Sequence, residues 1–466
     1  MKIQAPEAIL PTLTATLAVV SLAFWLSTGP PGDLEPRTPG RDGTIDAAGQ
    51  TDRPEPGQPI AGPGVASDIS GQWPGFLGPN RDSIATGGPK LARSWPAEGP
   101  PVRWSIDVAE GYAGAAISDG RVYVLDYDEQ AQADTLRCLS LDDGREIWRN
   151  SYPVVVAFHH GMTRTVPMIV GDYVITMGPR CHLACWDAAT GLSHWLIDLE
   201  RDFGTRVPEW YTGQCPLVDQ DRLIIAPCGS ALLMAIDYRT GDVIWQTPNP
   251  KGWNMTHVSV VPMEFQGRRT YVYCASGGVV GVAADDGSLL WETTAWKEIN
   301  ATSPSPVVLP DNRLFLSRGY GSGALMLQLV ETESGIGAQS LFELKPKQFS
   351  SEQQTPIYRD GHLFGIRKVG AKTMVCMDLD GNQIWDSGSD RFGLGPYMFA
   401  DDLLLILDDD GTLTAAEATP AGYERLTRHS VLPGGHDAWG PMAMVAGRLI
   451  LRDMTRMVCL DLRAKP

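Results

Sequence analysis

The chain has 466 residues, 43% of them hydrophobic and 20% charged, a balance that supplies a large core and excludes a disordered or collagen-like polymer. Fifty glycines and 35 prolines, about 18% of the chain, argue against a helical bundle and for many short strands joined by turns, so the predicted class is all-β. A net charge of −17 opposes binding to phosphate backbones and anionic lipid surfaces, which removes nucleic acid from the partners of the whole chain.

The amino end carries Met1, Lys2 and Glu7, followed by a mostly apolar run from Ala8 to Ser27 that ends in Phe24-Trp25-Leu26. About twenty such residues suffice to cross a bilayer. Residues 1–28 are therefore read as a signal anchor, or as a signal peptide cleaved near Ser27-Thr28-Gly29-Pro30; no Cys follows that would make a lipoprotein signal. Residues 29–70 are dense in Pro, Gly, Asp and Thr and poor in large apolar side chains, which predicts a disordered linker. Residues 71–466 form the folded domain.

That domain repeats itself. Leu141-Asp142-Asp143-Gly144 precedes Trp148, Ala188-Ala189-Thr190-Gly191 precedes Trp195, and Tyr238-Arg239-Thr240-Gly241 precedes Trp245. The series continues with Asp285-Asp286-Gly287 before Trp291 and Asp380-Gly381 before Trp385. Successive Trp lie 47, 50, 46 and 94 residues apart, and the last interval leaves room for one degenerate unit. A period in this range fits one four-stranded propeller blade. Each unit also carries an earlier hairpin signal, as in Ala116 to Val124 around Asp119-Gly120, or Thr355 to Phe364 around Asp360-Gly361.

Units begin near Gly111, Thr163, Gln214, His257, Ser303, Thr355, Leu394 and Trp439, which predicts eight blades. The last unit stops at Leu462 without a Trp strand, and an orphan strand, Val102 to Val108, precedes the first. Pairing the two would complete the final blade and close the ring, removing two exposed edges. The Trp of each unit (Trp148, Trp195, Trp245, Trp291 and Trp385) are assigned to docking one blade on the next.

These residues resemble a known family. Ala235-Ile236-Asp237-Tyr238-Arg239-Thr240-Gly241 followed by Trp245 matches the docking motif of the eight-bladed quinoprotein-type propellers. The lead-in Trp73-Pro74-Gly75-Phe76-Leu77-Gly78-Pro79-Asn80-Arg81-Asp82 is similar to that of the pyrroloquinoline-quinone-like repeat proteins of bacterial envelopes, among them relatives of the assembly propeller BamB. The resemblance implies an eight-bladed propeller located in the cell envelope. It spans both quinone-dependent dehydrogenases and scaffolds that hold no cofactor.

The chemistry of the chain separates these branches. A dehydrogenase of the alcohol-oxidising kind would stack its quinone on a disulfide of adjacent Cys and use Ca²⁺ to polarise it, but no Cys-Cys pair occurs, nor a Cys-x-x-Cys-His haem site. Metalloprotease, nucleophile-elbow and phosphate-loop motifs are also missing. Neither pyrroloquinoline quinone nor calcium is expected, no catalytic or metal residue is assigned, and His159-His160 and the Asp408-Asp409-Asp410-Gly411 run are read as a loop and a solvated hairpin turn. Cys138, Cys185, Cys376 and Cys459 fall in one repeat slot as small buried residues, whereas Cys215 and Cys228 lie on adjoining strands and have the spacing for a cross-strand bridge.

Recognition is expected where the innermost strands begin, beside the central channel. The candidates there are Tyr112, Arg164, Gln214, His257, Ser303, Gln354, Tyr397 and Trp439, with Trp210, Tyr211 and Trp253 at the rim. The function expected is that of a monomeric, membrane-tethered envelope propeller that binds a protein partner without catalysis; the alternative is a quinone-dependent or sugar-acting periplasmic enzyme.

Overall fold

A computed structural model describes residues 53–156, 161–297, 301–333 and 335–465. Eight sheets, each with four antiparallel strands at its heart, follow one another along the chain, seven of them built on four consecutive strands. The first seven cover residues 116–153, 168–198, 217–248, 261–293, 307–344, 357–386 and 397–430. The eighth takes three strands from residues 443–461 and its outermost strand from Val102–Asp107, which pairs with Arg456–Asp461. This is the predicted eight-bladed propeller with its predicted closure.

Closure is reinforced from inside. Arg452 is 1% exposed, and its guanidinium donates to the carbonyls of Asp453 (2.9 Å), Met454 (2.8 Å) and Ala109 (2.9 Å), the last just past the closing strand. Burial lowers its pKa to about 10, so it stays a cation and ties its own turn in blade eight to the segment after the closing strand by charge-assisted bonds to backbone oxygen.

Four of the five repeat Trp bond from one blade to the next. Trp148, Trp195, Trp245 and Trp385 donate their indole N–H to carbonyls of the next blade, those of Ala188 (3.3 Å), Tyr238 (3.0 Å), Ala284 (3.0 Å) and Thr419 (2.8 Å). The rings of Trp148, Trp195 and Trp245 lie on Gly191, Gly241 and Gly287, whose φ of 75°, 82° and 74° makes the turn and whose missing Cβ leaves space for the ring. Two further members escaped the sequence pattern. Trp104 in the closing strand covers Gly144, where a Cβ would lie 2.7 Å from the indole, and donates to Leu141 at 3.0 Å. In the degenerate unit Phe342 takes the Trp position, against Gly381. Trp291 departs from the rule: blade five carries longer strands, Ala324–Thr332 and Gly335–Leu344, and the Trp291 indole nitrogen has no hydrogen-bond partner.

The cysteine slot has a structural cause. Cys138, Cys185, Cys376 and Cys459 each lie opposite the docking Trp of their own blade, immediately before a shift in strand register. The bulge turns the Trp toward the neighbour, so only a small side chain fits beneath it. All eight Cys are buried and unbridged; the Cys215 sulfur accepts from the Val166 amide at 3.3 Å, and Cys228 faces the Leu232 carbonyl at 3.6 Å.

Of the expected linker 29–70, residues 53–70 are among those described, and they include a strand paired to blade one. Ile60–Ala61 pairs antiparallel with Arg149 and Trp148 on the outer edge of blade one, flanked by Gly57 to Ser151, Gly62 to Ile147 and Gly64 to Glu146 backbone bonds of 2.8 to 2.9 Å. Low hydrophobicity was a poor guide here because the strap is held by main-chain bonds and exposes its side chains, with Ile60 57% and Val65 74% accessible. After the strap, Gln72–Trp73 pairs with the innermost strand of blade one, and Ile84–Ala85 runs parallel to Phe399–Ala400 of blade seven. The residues between cross the channel as a plug. The apolar run 8–27 lies outside the described residues, and among those described no helix is long and apolar enough to cross a membrane.

Two tests follow from this packing. Trp245→Ala removes a ring that is 8% exposed and should cost about 3 to 5 kcal/mol in denaturant unfolding. Deleting residues through Asp107 should abolish the cooperative transition by opening the ring, whereas deleting through Ala66 should cost only roughly 1 to 3 kcal/mol for the lost strap bonds; equal melting temperatures for the two truncations would contradict the closure.

Candidate functional site

The starts of the inner strands surround a cavity of about 490 Å³ at one mouth of the channel. Six of the eight predicted channel residues line it, namely Tyr112, Arg164, His257, Ser303, Gln354 and Trp439, together with the rim residue Trp210. Phe76 from the plug, Tyr320, Gln353 and Cys215 also line it. The first three were missed because Phe76 precedes the repeats, while Tyr320 and Gln353 fall one turn or one residue away from the register that was followed.

An aromatic stack crosses one side. Tyr112 and Trp439 lie 5.2 Å apart at 13°, and the Arg164 guanidinium carbon sits 4.9 Å from the Tyr112 ring centre. Trp439 is oriented by Asp409, whose Oδ1 accepts the indole N–H at 2.8 Å and the Leu394 amide at 2.6 Å. The Asp408 to Gly411 run is thus the expected hairpin turn, but its first two carboxylates hold backbone and indole donors of neighbouring segments; Asp408 accepts from Gly393 at 2.8 Å. Gln354 adds bonds to the carbonyls of Trp439 (3.1 Å) and Leu394 (3.2 Å).

Arg164 donates through Nε to the Trp210 carbonyl and through Nη2 to that of Gly161 at 3.3 Å. Burial lowers its pKa to about 10, which keeps it charged at neutral pH, and burial raises the Tyr112 hydroxyl to about 12. Burial, with the Arg164 charge added, pushes His257 down to about 3, so its ring is neutral and Nδ1 has no partner. Opposite, Ser303 donates to Gln353 Oε1 at 3.2 Å, and Gln353 donates to the Tyr320 hydroxyl at 3.4 Å. No carboxylate lines the cavity among the described residues. Two of its lining residues carry unusual backbone: Trp210 and Tyr320 have φ of 62° and 43°, conformations that side-chain-bearing residues adopt at a cost.

A sequence model of the family described as "Outer membrane protein assembly factor BamB" matches residues 132–379, more than half of the chain. The chain belongs to this family. Among solved structures it is similar to BamB from Moraxella catarrhalis at 13% identity and a TM-score of 0.51, over 78% of this chain and 99% of that one. It is also similar to the quinohemoprotein alcohol dehydrogenase ADHIIG from Pseudomonas putida HK5, at 12% identity and a TM-score of 0.52 over 85% and 82% of the two chains. The computationally designed Ika8 protein shares the architecture at 11% identity and a TM-score of 0.51, over 78% of this chain and all of its own. At these identities the likenesses establish the fold. No curated protein matches the sequence.

The other predicted residues of this BamB-family propeller serve its framework. Gln214 is fully buried and bonded both ways to Ala226, donating at 3.1 Å and accepting at 2.8 Å. Tyr397 is buried in the core with its hydroxyl on the Thr355 carbonyl at 3.3 Å. Tyr211 packs in the core between blades one and two, and Trp253 covers Gly277 and Gly278 of blade four. His159-His160 lie outside the described residues. Trp210, by contrast, sits at the cavity edge in left-handed backbone, so Trp210→Ala should change unfolding free energy by no more than about 0.5 kcal/mol; a loss equal to that of Trp245→Ala would place Trp210 in the core instead.

Proposed function

We propose that the protein is a membrane-tethered envelope scaffold that uses the channel-mouth cavity to hold a protein partner and performs no catalysis. The observation that carries this reading is the lining: Trp210, Trp439, Tyr112 and Tyr320 converge on one face, and large amphipathic rings are the residues that anchor protein interfaces. Family membership supports the envelope location, the described family being one of outer membrane assembly. The tether rests on the length and apolarity of residues 8–27.

Quinone chemistry fits the residues poorly. Ca²⁺ takes six to eight oxygen ligands with carboxylates among them, and the cavity lining supplies no Asp or Glu. The chain also lacks the vicinal Cys pair against which a quinone would stack. The likeness to a quinohemoprotein dehydrogenase is one of architecture alone.

Two measurements test the proposal. After incubation with pyrroloquinoline quinone and Ca²⁺ followed by desalting, the protein should carry no quinone absorbance; retained chromophore would favour the enzyme. A photo-crosslinking residue at Trp210, in protein left in its native envelope, should give protein adducts, and one at Asp360, in the turn at the far end of an inner strand, should not. Equal adducts from both positions would remove the cavity as the docking face.

A further inference from the structure

The channel holds a second cavity, of about 260 Å³, beneath the first. Its walls come from the plug, residues 74–83, and from the inner-strand segments of blades two to six, such as Met168, Leu217, Val260 and Pro306. Two residues line both cavities: Phe76 of the plug and Cys215 of blade three. We propose that Phe76 is the partition of a single axial channel, so that the plug, and not the blades, sets how deeply the channel-mouth cavity reaches.

The shape of the plug supports this. Its ends are fixed by strand pairing, Gln72–Trp73 on blade one and Ile84–Ala85 on blade seven. Between them the chain departs from extended backbone at Leu77 (φ 63°), Gly78 (81°), Arg81 (60°) and Ser83 (58°), which throws it across the axis. Gly78 is required under the Trp73 ring, where a Cβ would stand 2.8 Å from the indole, and Trp73 is itself 2% exposed. The middle is tied to the ring by the Ile169 amide on the Pro74 carbonyl (2.7 Å) and by Arg81 on the Val218 carbonyl. Phe76 packs against the cluster that contains Cys215 and Val166, and the space beneath it is empty of protein. A blind-ended cavity admits the tip of a side chain or a ring-sized group, whereas an open channel would admit an extended segment.

Cys215 reports on the partition without reference to any partner, so failure of this inference and failure of the scaffold reading are separable. In the wild type it is 4% exposed and burial raises its thiol to about 11, which makes it unreactive. The full-length protein and its Phe76→Ala variant are treated with N-ethylmaleimide and the modified cysteines mapped by peptide mass spectrometry. Opening the partition should alkylate Cys215 at least about tenfold faster while Cys138 and Cys376, buried in other blades, stay at their wild-type rates. An unchanged Cys215 rate, or a wild-type Cys215 that already reacts freely, would overturn the proposal. Should Phe76→Ala expose all eight thiols together, the Phe76→Leu and Phe76→Trp variants decide: the order Leu above Phe above Trp supports a partition, and equal rates overturn it.

Discussion

The contact on which the molecule depends is a ring laid over a glycine turn, repeated around the circle. An isolated four-stranded blade has two apolar faces and no way to bury both, and the docking ring joins each sheet to the next at its outer end. The indole contributes apolar area and one hydrogen bond to a carbonyl that would otherwise be buried beneath it. Everything nearer the axis follows, because fixing the outer strands fixes where the inner strands begin, and those beginnings form the cavity. Where the contact weakens, as at Trp291, the partner blade compensates with longer strands that extend the paired surface.

This explains which parts of the fold were legible in the sequence. A ring and a glycine at fixed spacing are both chemically distinctive, so the blade count and the closing strand could be read from five Trp and an orphan strand. Phe342 was invisible as a docking residue because its turn lacks the Asp-Gly signature, and Trp104 because its blade is split between the two ends of the domain. The channel residues followed from blade register, which holds to about one residue. That tolerance is also what misplaced Gln214 and Tyr397, since side chains of adjacent strand residues point to opposite sides. The strap and plug were illegible for a different reason. Their strands are two residues long, they carry no alternation, and they are fixed by backbone pairing and by packing against a surface the sequence does not describe.

Electrostatics separate the outside of the ring from its axis. The acidic side chains that give the chain its net charge of −17 populate the turns, where Asp187, Asp237 and Asp378 cap main-chain amides. The cavity has instead a guanidinium, a neutral imidazole, two carboxamides and the hydroxyls of Ser303, Tyr112 and Tyr320 among aromatic rings. The axis therefore differs in chemistry from the outer turns: aromatic rings and directed hydrogen-bonding groups stand where the turns carry carboxylates.

The pairing of Trp104 with Cys459 also has a kinetic side. The two strands are separated by some 350 residues, so the loop their contact closes is nearly the whole domain, and contacts of such separation form slowly. During synthesis, blades one to seven acquire their neighbours in turn, but Val102–Asp107 must wait, with its edge unpaired, until Arg456–Asp461 has emerged. Until that moment the nascent ring exposes a strand edge at each end, which is the state most open to aggregation and to capture by a chaperone. A chain cut just before Arg456 would thus keep nearly every blade intact and have no means of becoming a ring.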